Sequence, residues 1–568
     1  MPSRLANLIA VARGERPADL ILANARVVNV FNGQIEPGNV AIYDHSIAGV
    51  GDYHQAKEVL DLAGKYLAPG LINGHTHIES SMLDIGEYAR AVVPRGTLAI
   101  VSDLHELANV CGLAGIRYVL DSARRLPLEV FLLAPSCVPA TNLETAGASL
   151  GPDDIGRLLR WRHVIGLGEV MNFPGVIGGD KDVLEKINLA RGRVVDGHAP
   201  GLTGRNLAAY IAAGIHSDHE SVTLEEARDK LRQGMYLMIR EGSSEKNLEE
   251  LLPLVTDKTY KRCFFVVDDR SCADLLRDGD IDAVVRKAIG LGLDPVRAIQ
   301  LATINTTEYF RLDRLGAIAP GYLANLIVID RLSTLEIDMV FHRGRLVARQ
   351  GQPLFPAYSA IGQRPDSTVN IKPFSLDALR LSTGAETRPI IEVVPGQIVT
   401  RKRLERVKIS RGAAVADTSR DILKLVVVER HKASGNIGRG LVKGFGLKKG
   451  ALASSIAHDS HNIIAVGTSD EDILAAIKGV ERLKGGLAVV AEGRLLGSLA
   501  LPIAGLMSDK PLEVVVAKLE SLEQLAKELG TRLPSPFATL SFLALPVIPE
   551  LRLTDLGLVD VNAFKLID

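Results

Sequence analysis

Residues 68–112 read APGLINGHTHIESSMLDIGEYARAVVPRGTLAIVSDLHELANVCG, and this stretch decides the fold. An apolar run that ends at Ile72 is typical of a buried strand, and His75 and His77 come after it with one residue between them. Residues two apart in a strand point to the same side, so both imidazoles project together from the strand end. A metal ion requires this geometry of its first two ligands. An isolated HxH pair also arises by chance at protein surfaces, so a metal site requires further candidate ligands elsewhere in the chain.

The same stretch contains a second strand end with ionisable side chains. The apolar run from Thr97 to Val101 precedes Asp103, His105 and Glu106 in the sequence SDLHELANV. Such a cluster directly after a strand indicates a functional site. It is also consistent with an ordinary helix start, in which Asp103 is the N-cap and Glu106 completes a capping box.

Apolar, strand-like runs alternate with helical stretches between residues 68 and 312, which is the pattern of βα units around a parallel sheet. Besides the strand before His75, these runs are LAIVSD, EVFLLAPS, HVIGLGEV, VVDGHAP, IHSDHE, MYLMIRE and CFFVVDD. Eight such strands predict a closed (β/α)8 barrel. In this kind of barrel the chemistry belongs to the carboxyl ends of the strands.

Most of these strand ends carry an imidazole or a carboxylate. After His75 and His77, the residues are Glu169, His198, His219 and Asp268. One of them alone is more often a hydrogen-bonded structural residue, but the whole set indicates a catalytic site. Imidazoles and carboxylates without thiolates suit manganese, iron or zinc. Six candidate ligands exceed one tetrahedral zinc, so two ions that share a carboxylate are predicted.

Residues 398–568 form a further unit, and residues 352–397 before it are rich in proline, serine and polar residues, which predicts a connecting segment. The further unit contains the sequence AHDSHN, with His458, Asp459 and His461. Two imidazoles with an acid between them are able to bind a metal or to line a pocket. A hydrogen-bonded loop is an equal alternative, and a loop that covers the barrel mouth is a third.

Composition limits the function classes. A chain of 568 residues is too long for one core, so two or three domains are expected. The formal net charge is −1 and the basic residues are scattered, which argues against a nucleic-acid surface and a membrane anchor and favours a small neutral substrate. No signal-peptide core and no apolar run of roughly 20 residues is present, so the expected location is cytoplasmic. The four cysteines show no CxxC spacing, which argues against a zinc ribbon or a disulfide framework.

The compound motif PGLINGHTHIESSM followed by DLHELANV resembles the adenine deaminases, metal-dependent (β/α)8-barrel enzymes of the amidohydrolase superfamily. The C-terminal unit resembles the same family, so the resemblance covers nearly the whole chain. It implies an α/β fold with a TIM-like amidohydrolase barrel in residues 68–312 and a composite β-sandwich from residues 1–67 and 313–351. Residues 352–397 would connect these to an additional α+β domain of the adenine-deaminase type in residues 398–568. The family also implies a homodimer.

The resemblance further implies a set of metal ligands. His75, His77 and Asp268 would hold one divalent ion, His198 and His219 the other, and Glu169 would bridge the two. Mn²⁺ is the expected metal, with Fe²⁺ and Zn²⁺ as alternatives. Asp269 is a rival for Asp268, which we prefer because it comes first at the strand end. Related cyclic-amide hydrolases carry a carboxylated lysine in place of Glu169, so a cyclic-amide substrate is less favoured.

The implied reaction is the hydrolysis of adenine to hypoxanthine and ammonia in purine salvage. A hydroxide that bridges the metal ions would attack C6, because metal binding lowers the pKa of water from 15.7 to about 7. Asp268 would take its proton, and Glu106 would protonate N1 and relay protons to the leaving amino group. Asp103 and His105 would orient Glu106 or shuttle protons. The alternative hypotheses are a hydrolase of another aminopurine or cyclic amide, and a metal-free binding scaffold.

Candidates for lining the purine pocket come directly after two of the strands. They are Glu79, Ser80, Ser81, Arg240, Glu241 and Ser243, for which helix capping and loop polarity explain the sequence equally well. The chain departs from the usual family motif at Asn73 and Gly74, where Asp-Ala is usual, and at Leu104, where proline is usual. None of these changes removes a candidate ligand.

Overall fold

The computed structural model describes residues 3–356 and 363–567, and it begins with a short helix and a group of β-strands. These elements are α1 (Arg4–Ala12), β1 (Ala18–Asn29), β2 (Gln34–Tyr43), β3 (Ser46–Gly51), β4 (Ala56–Asp61) and β5 (Tyr66–Pro69). The turn between β1 and β2 contains Gly33, whose φ of +77° favours glycine. Antiparallel pairing of β1 with β2 and of β2 with β3 forms the first part of a sheet.

The next segment alternates parallel strands and helices. The strands are β6 (Leu71–His77), β7 (Thr97–Asp103), β8 (Glu129–Ala134), β9 (Val164–Val170), β10 (Val194–Gly197), β11 (Ser217–Asp218), β12 (Tyr236–Arg240), β13 (Cys263–Val266) and β14 (Asp268–Asp269). The helices are α2 (Ile85–Val92), α3 (His105–Ala123), α4 (Pro152–Leu158), α5 (Phe173–Gly178), α6 (Lys181–Leu189), α7 (Gly204–Ala212), α8 (Leu224–Arg232), α9 (Leu248–Leu251), α10 (Cys272–Arg277), α11 (Ile281–Gly290), α12 (Pro295–Leu301) and α13 (Ile304–Phe310). Every residue of β6 and β7 is buried, as expected for a parallel sheet that helices cover.

The parallel strands form a curled sheet in two hydrogen-bonded parts. One part has the order β10, β9, β8, β7, β6, β14, and the other has the order β11, β12, β13. Only Val267 separates β13 from β14, so the chain carries the second part back to β6. Between β10 and β11, side-chain bonds replace a ladder: the Gly197 N–H donates to Ser217 Oγ at 3.2 Å, and the Ala199 N–H donates to Asp218 Oδ1 at 2.9 Å. The carboxyl ends of the strands therefore meet at one face.

A second segment of β-strands comes after this α/β unit and completes the first sheet. Its strands are β15 (Leu326–Arg331), β16 (Glu336–His342), β17 (Arg345–Arg349) and β18 (Gln352–Pro353). Strand β15 pairs antiparallel with β5, with Val328 opposite Leu67, so one nine-stranded sheet contains strands from both sides of the α/β unit. The sheet folds back on itself, because Ser46 at the start of β3 forms a bridge with Leu323 just before β15.

The C-terminal unit has an eight-stranded main sheet and further strands outside it. Its strands are β19 (Leu381–Ser382), β20 (Thr387–Val393), β21 (Thr400–Arg406), β22 (Lys408–Ser410), β23 (Ala413–Val415), β24 (Ile422–Val428), β25 (Ile437–Lys443), β26 (Ala451–Ser454), β27 (Ile463–Gly467), β28 (Gly486–Ala491), β29 (Arg494–Ala500), β30 (Leu551–Thr554), β31 (Gly557–Asp560) and β32 (Lys565–Ile567). Its helices are α14 (Asp470–Arg482), α15 (Leu512–Glu528) and α16 (Pro536–Phe542). The main sheet has the order β21, β20, β25, β24, β27, β26, β28, β29.

Strand β20 corrects the predicted extent of the connecting segment. It lies within residues 352–397 but pairs with β21 along its whole length and with β25 at Ile391 and Glu392. The sheet of the C-terminal unit therefore begins before residue 398. Pro389 is tolerated in this strand because it lies where β20 has only β21 as a neighbour.

The C-terminal unit packs on the face where the parallel strands end. The Ser508 N–H donates to the Met82 carbonyl at 2.7 Å, and the Asp84 N–H donates to the Ser508 carbonyl at 3.1 Å. The Thr145 N–H donates to Asp555 Oδ1 at 2.9 Å. These bonds bring the loop of residues 455–462, between β26 and β27, over the strand ends. Among the described residues, no helix combines the length and the apolar character that a membrane crossing requires.

Candidate active site

Glu169 stands at the centre of the strand-end cluster, with one carboxylate oxygen facing each of two imidazole pairs. Its Oε1 lies 3.2 Å from His75 Nε2 and 2.9 Å from His77 Nε2. Its Oε2 lies 2.9 Å from His198 Nδ1 and 3.5 Å from His219 Nε2. All four histidines and Glu169 are predicted ligands, and the structure brings them together although they come from four different strand ends. A carboxylate with each oxygen directed to a separate pair of imidazoles is suited to bridge two cations.

Asp103 fixes Glu169 and His77 from the neighbouring strand end. Its Oδ2 accepts the Glu169 N–H at 3.0 Å, and its carbonyl oxygen lies 2.8 Å from His77 Nδ1. A histidine that donates Nδ1–H to a carbonyl keeps Nε2 free as a ligand. Gly168 is required beside this contact, because a Cβ there would lie 1.8 Å from Asp103 Oδ2. Asp103 is thus placed to orient the ligand residues, and its Oδ1 also lies 3.7 Å from Nδ1 of His105, which in turn neighbours Glu106.

Asp268 completes the cluster from the last strand. Its Oδ1 lies 3.1 Å from His77 Nε2 and 3.5 Å from His75 Nε2. Its Oδ2 accepts a hydrogen bond from Arg240 Nη1 at 2.8 Å. Asp269 also has an oxygen near the His77 and Asp268 ligand atoms, but its Oδ1 accepts the Ser80 hydroxyl. In the part of the chain that the structure describes, Asp268 Oδ1 faces the histidines without a hydroxyl donor, whereas Asp269 Oδ1 accepts the hydroxyl of Ser80.

The geometry and the unpaired atoms of this cluster fit divalent cations. Tetrahedral bonds of about 2.1 Å place neighbouring ligand atoms roughly 3.4 Å apart. The nitrogen–oxygen separations here span 2.9 to 3.5 Å. His75 Nε2 and Glu169 Oε1 are buried and close together, yet neither has a hydrogen-bond partner among the residues that the structure describes. Burial lowers the pKa of His75, but Asp196, Asp268 and Glu169 outweigh it and raise that pKa well above its ordinary value, so the site attracts positive charge.

We expect the two neighbouring aspartates to differ sharply when each is neutralised. Asp268→Asn removes a charged oxygen that faces two imidazoles, so bound metal should fall and hydrolytic activity should fall by roughly 10²-fold or more. Asp269→Asn keeps the Ser80 contact through an amide oxygen and should retain the metal content of the wild-type protein. Elemental analysis and ammonia release on the two purified variants measure the difference. Metal loss in Asp269→Asn alone would reverse the assignment.

Glu106 lies beside this cluster at the start of α3 and is held by residues from the C-terminal unit. Its Oε1 lies 2.5 Å from His458 Nδ1 and 3.5 Å from His105 Nε2, and its Oε2 contacts His461 Nε2. Burial raises the pKa of Glu106, but the two C-terminal imidazoles outweigh it and lower that pKa well below its ordinary value. His105 lies between the two groups, because its Nδ1 is 3.8 Å from Glu169 Oε1.

The capping-box interpretation of the sequence DLHELAN is wrong. Helix α3 begins at His105 with Leu104 as its N-cap, and no side chain caps it. Asp103 bonds to Glu169 instead, and Glu106 bonds to the C-terminal histidines. The local spacing suits a capping box, but stronger partners from distant strands take both carboxylates.

Two cavities meet at Glu106. The first, of about 450 Å³, is lined by every candidate metal ligand except His75 and opens between apolar side chains that include Val222, Leu545 and Val547. The second, of about 380 Å³, is lined by hydroxyls and carboxylates that include Glu79 and Ser541. The residues that line both cavities are Glu106, Ser244, Asp269, His458 and Phe542.

The candidates for the purine pocket separate into three groups. Arg240 lines the first cavity, while Glu79, Ser80 and Ser243 line the second. Ser81 and Glu241 line neither of the two: Ser81 Oγ donates to the Ile78 carbonyl at 2.6 Å, and Glu241 Oε1 accepts from Lys287 at 2.5 Å. These last two residues serve local structure.

Sequence reasoning missed Glu220 and Phe542. Glu220 Oε1 lies 3.4 Å from His219 Nε2 and 3.8 Å from His198 Nδ1, and it pairs with Arg240. Its position directly after His219 in HSDHE was the available signal. Phe542 stacks on His458 with ring centroids 4.7 Å apart and an interplanar angle of 20°. Nothing in the sequence near Phe542 indicates this contact.

Comparison with known proteins agrees with this site. The amidohydrolase family matches residues 66–347, and the adenine deaminase C-terminal domain matches residues 397–565. The curled parallel sheet and the cluster of imidazoles and carboxylates at its strand ends thus define an amidohydrolase.

Full-length relatives identify the family more closely. An adenine deaminase of Dehalococcoides mccartyi is 64% identical over 567 residues, which cover 100% of this chain and 99% of the relative. Adenine deaminase 2 of Carboxydothermus hydrogenoformans is 50% identical over 562 residues, 99% of this chain and 98% of the relative. An adenine deaminase of Halalkalibacterium halodurans is 45% identical over 576 residues, with 100% and 98% covered. The chain belongs to the adenine deaminase family.

Proposed function

We propose that this chain hydrolyses adenine to hypoxanthine and ammonia, using two divalent cations. Relatives that are 45% to 64% identical along the whole chain carry the name adenine deaminase. The observation that carries the proposal is the pairing, at one cavity, of a carboxylate between two imidazole pairs with a separate buried acid, Glu106. The first arrangement suits hydrolysis, and the second supplies a proton donor for a ring nitrogen.

The candidate ligands divide between two cations by their contacts with Glu169. His75, His77 and Asp268 surround its Oε1, while His198 and His219 surround its Oε2. This donor set suits Mn²⁺, with Fe²⁺ and Zn²⁺ as alternatives. When bound, such ions supply a nucleophilic oxygen near neutral pH by lowering the pKa of water from 15.7 to about 7.

Residues of the chain accept and donate the protons of the reaction. Hydrolysis adds the water oxygen to C6 of adenine, breaks the bond from C6 to the amino nitrogen, and moves the two water protons to N1 and to the departing amino group. Asp268 receives a proton from the attacking oxygen and passes it to the amino group, which leaves as ammonia. Arg240 holds Asp268 through a 2.8 Å hydrogen bond, so the carboxylate keeps one oxygen directed to the reacting centre.

Glu106 protonates N1 as negative charge develops on the purine ring. It lines the cavity that contains the candidate ligands, and His105 separates it from Glu169. General acid catalysis of this kind contributes about 10²-fold to 10⁴-fold to a rate. His105 excludes a direct contact between Glu106 and the ligand carboxylate, so that the two acids act on different atoms of the substrate.

The decisive experiment measures ammonia release and the ultraviolet change from adenine to hypoxanthine with purified protein that has been loaded with Mn²⁺. Elemental analysis of the same sample should give about two metals per chain. Conversion of adenine would establish the function. Turnover of another aminopurine or a cyclic amide in place of adenine would contradict it, and so would full activity in metal-free protein.

A further inference from the structure

The loop of residues 455–462 brings two histidines of the C-terminal unit to one carboxylate of the α/β unit. His458 and His461 contact opposite oxygens of Glu106 across sequence separations of 352 and 355 residues. Glu106 and His461 are fully buried or nearly so, with 4% and 1% exposed. Contacts of this kind do not arise from a loop that merely covers the cavity.

His461 is fixed in one tautomer. The Ala457 N–H donates to His461 Nδ1 at 3.2 Å, so this nitrogen is an acceptor and Nε2 carries the proton that it donates to Glu106. Arg430 also donates to the His461 carbonyl. Burial lowers the pKa of His461, which keeps the ring neutral. His461 therefore holds Glu106 but has no second nitrogen with which to take up another proton.

His458 differs because its far nitrogen is open. Its Nδ1 contacts Glu106 Oε1 at 2.5 Å, and its ring stacks on Phe542. Its Nε2 has no hydrogen-bond partner in the described parts of the chain, and its side chain is 14% exposed where it lines both cavities. A proton can thus enter at Nε2 and leave at Nδ1.

The charges around His458 favour its protonated form. Glu106, Asp269 and Asp459 are the carboxylates that act on it most strongly, and His461 is the nearest imidazole, with ring centroids 5.6 Å apart. Burial lowers the pKa of His458, but the three carboxylates outweigh it and raise that pKa to about 9. The ring thus carries a proton that it can give to Glu106.

We propose that His458 returns a proton to Glu106 in every turnover while His461 holds Glu106 in place, so that the C-terminal unit supplies the proton relay of the active site. This inference rests on the proposed function, because it concerns the proton that Glu106 gives to N1. Both histidines act through Glu106, whose two oxygens they contact. His458 is a relay and His461 is a positioning residue.

With this relay, every proton of the reaction has a donor and an acceptor. Glu106 is a carboxylate at rest, so the proton that it gives to N1 of the purine is one that it receives from His458. His458 gives its Nδ1 proton to Glu106 and is left neutral with its remaining proton on Nε2. Exchange through water in the cavity moves that proton to Nδ1, and the vacated Nε2 then takes the first proton of the hydrolytic water. The second proton of that water leaves with the amino group through Asp268. No oxidant, reductant or further reactant is required.

Two matched substitutions separate the relay from a structural role. His458→Asn keeps an amide nitrogen near the Nδ1 position but cannot pass a proton, and His461→Gln keeps a donor near the Nε2 position. We expect kcat of His458→Asn to fall by about 10²-fold with KM and metal content little changed. Added imidazole should restore part of that rate, and the solvent deuterium isotope effect on kcat should increase. His461→Gln should lose less activity and show no rescue by imidazole.

A third comparison tests whether His458 acts through Glu106. Residues that act as one unit are not additive, so the double variant Glu106→Gln with His458→Asn should be no slower than Glu106→Gln alone. A wild-type kcat in His458→Asn would overturn the proposal. A loss that imidazole does not rescue, with an unchanged isotope effect, would show a structural role and overturn it as well. His458→Gln replaces His458→Asn if the latter does not fold.

The proposed function and the relay fail in different ways. Wild-type protein that releases no ammonia from adenine contradicts the function. Wild-type protein that deaminates adenine, together with a His458→Asn variant of unchanged rate and isotope effect, contradicts only the relay.

Discussion

Glu106→Gln should reduce adenine deamination by about 10³-fold while the protein keeps about two metals per chain. Glutamine has nearly the shape of glutamate and can still accept from His461 Nε2, so the fold and the neighbouring ligands remain. It has no acidic proton to give to N1, so the step that neutralises the purine ring slows. The measurement is kcat for ammonia release, with elemental analysis of the same preparation.

The control for this substitution is Glu249→Gln, the same chemical change at an exposed position of α9. It should leave kcat and metal content unchanged. If Glu106→Gln loses metal, then Glu106 is a ligand and the roles of Glu106 and Glu169 have been assigned wrongly. If it keeps full activity, another group protonates N1.

Glu169→Gln should show the opposite pattern, with metal content at or below about one per chain and deamination lowered by more than about 10³-fold. Each oxygen of Glu169 faces two imidazoles, at 2.9 to 3.5 Å. A neutral amide has one oxygen acceptor, so it cannot serve both imidazole pairs. The four imidazoles around it, three of them buried, then lose the negative charge that lies between them.

Thermal unfolding gives a second readout for Glu169→Gln. A cation that binds only the folded state raises the midpoint of unfolding, by about 2.7 kcal/mol of free energy at 100 times its dissociation constant. Mn²⁺ should therefore stabilise wild-type protein and the exposed control Glu185→Gln on α6, but Glu169→Gln much less. Equal stabilisation of all three proteins would contradict the bridging role.

The parts of the site that lie at strand ends could be predicted from the sequence. Side chains alternate regularly along a strand, and a parallel barrel brings the carboxyl ends of its strands to one face. His75 and His77 end one strand two residues apart, and Glu169 closes another, so a parallel sheet must bring them to one edge. Full-length similarity to adenine deaminases agrees with the predicted family.

The partners of these side chains could not be predicted in the same way. Glu106 binds His458 across 352 residues, and no periodicity links two units that fold around different sheets. Asp103 has the spacing of an N-cap, and only the position of β9 shows that its carboxylate holds Glu169. Strand β20 was missed because residues 352–397 are rich in proline, serine and polar residues and because its neighbour β25 lies far along the chain.

The position of β5 also affects how the chain folds during synthesis. Strand β5 lies between β1 and β15, and the entire α/β unit separates β5 from β15 in sequence. During synthesis on the ribosome, β1 to β5 emerge long before β15, so one side of β5 keeps exposed amides and carbonyls while the α/β unit is made. Such open edges invite pairing with other chains, and distant pairings form slowly. Nascent chains that stall before Leu326 are therefore expected to self-associate more readily than the finished chain.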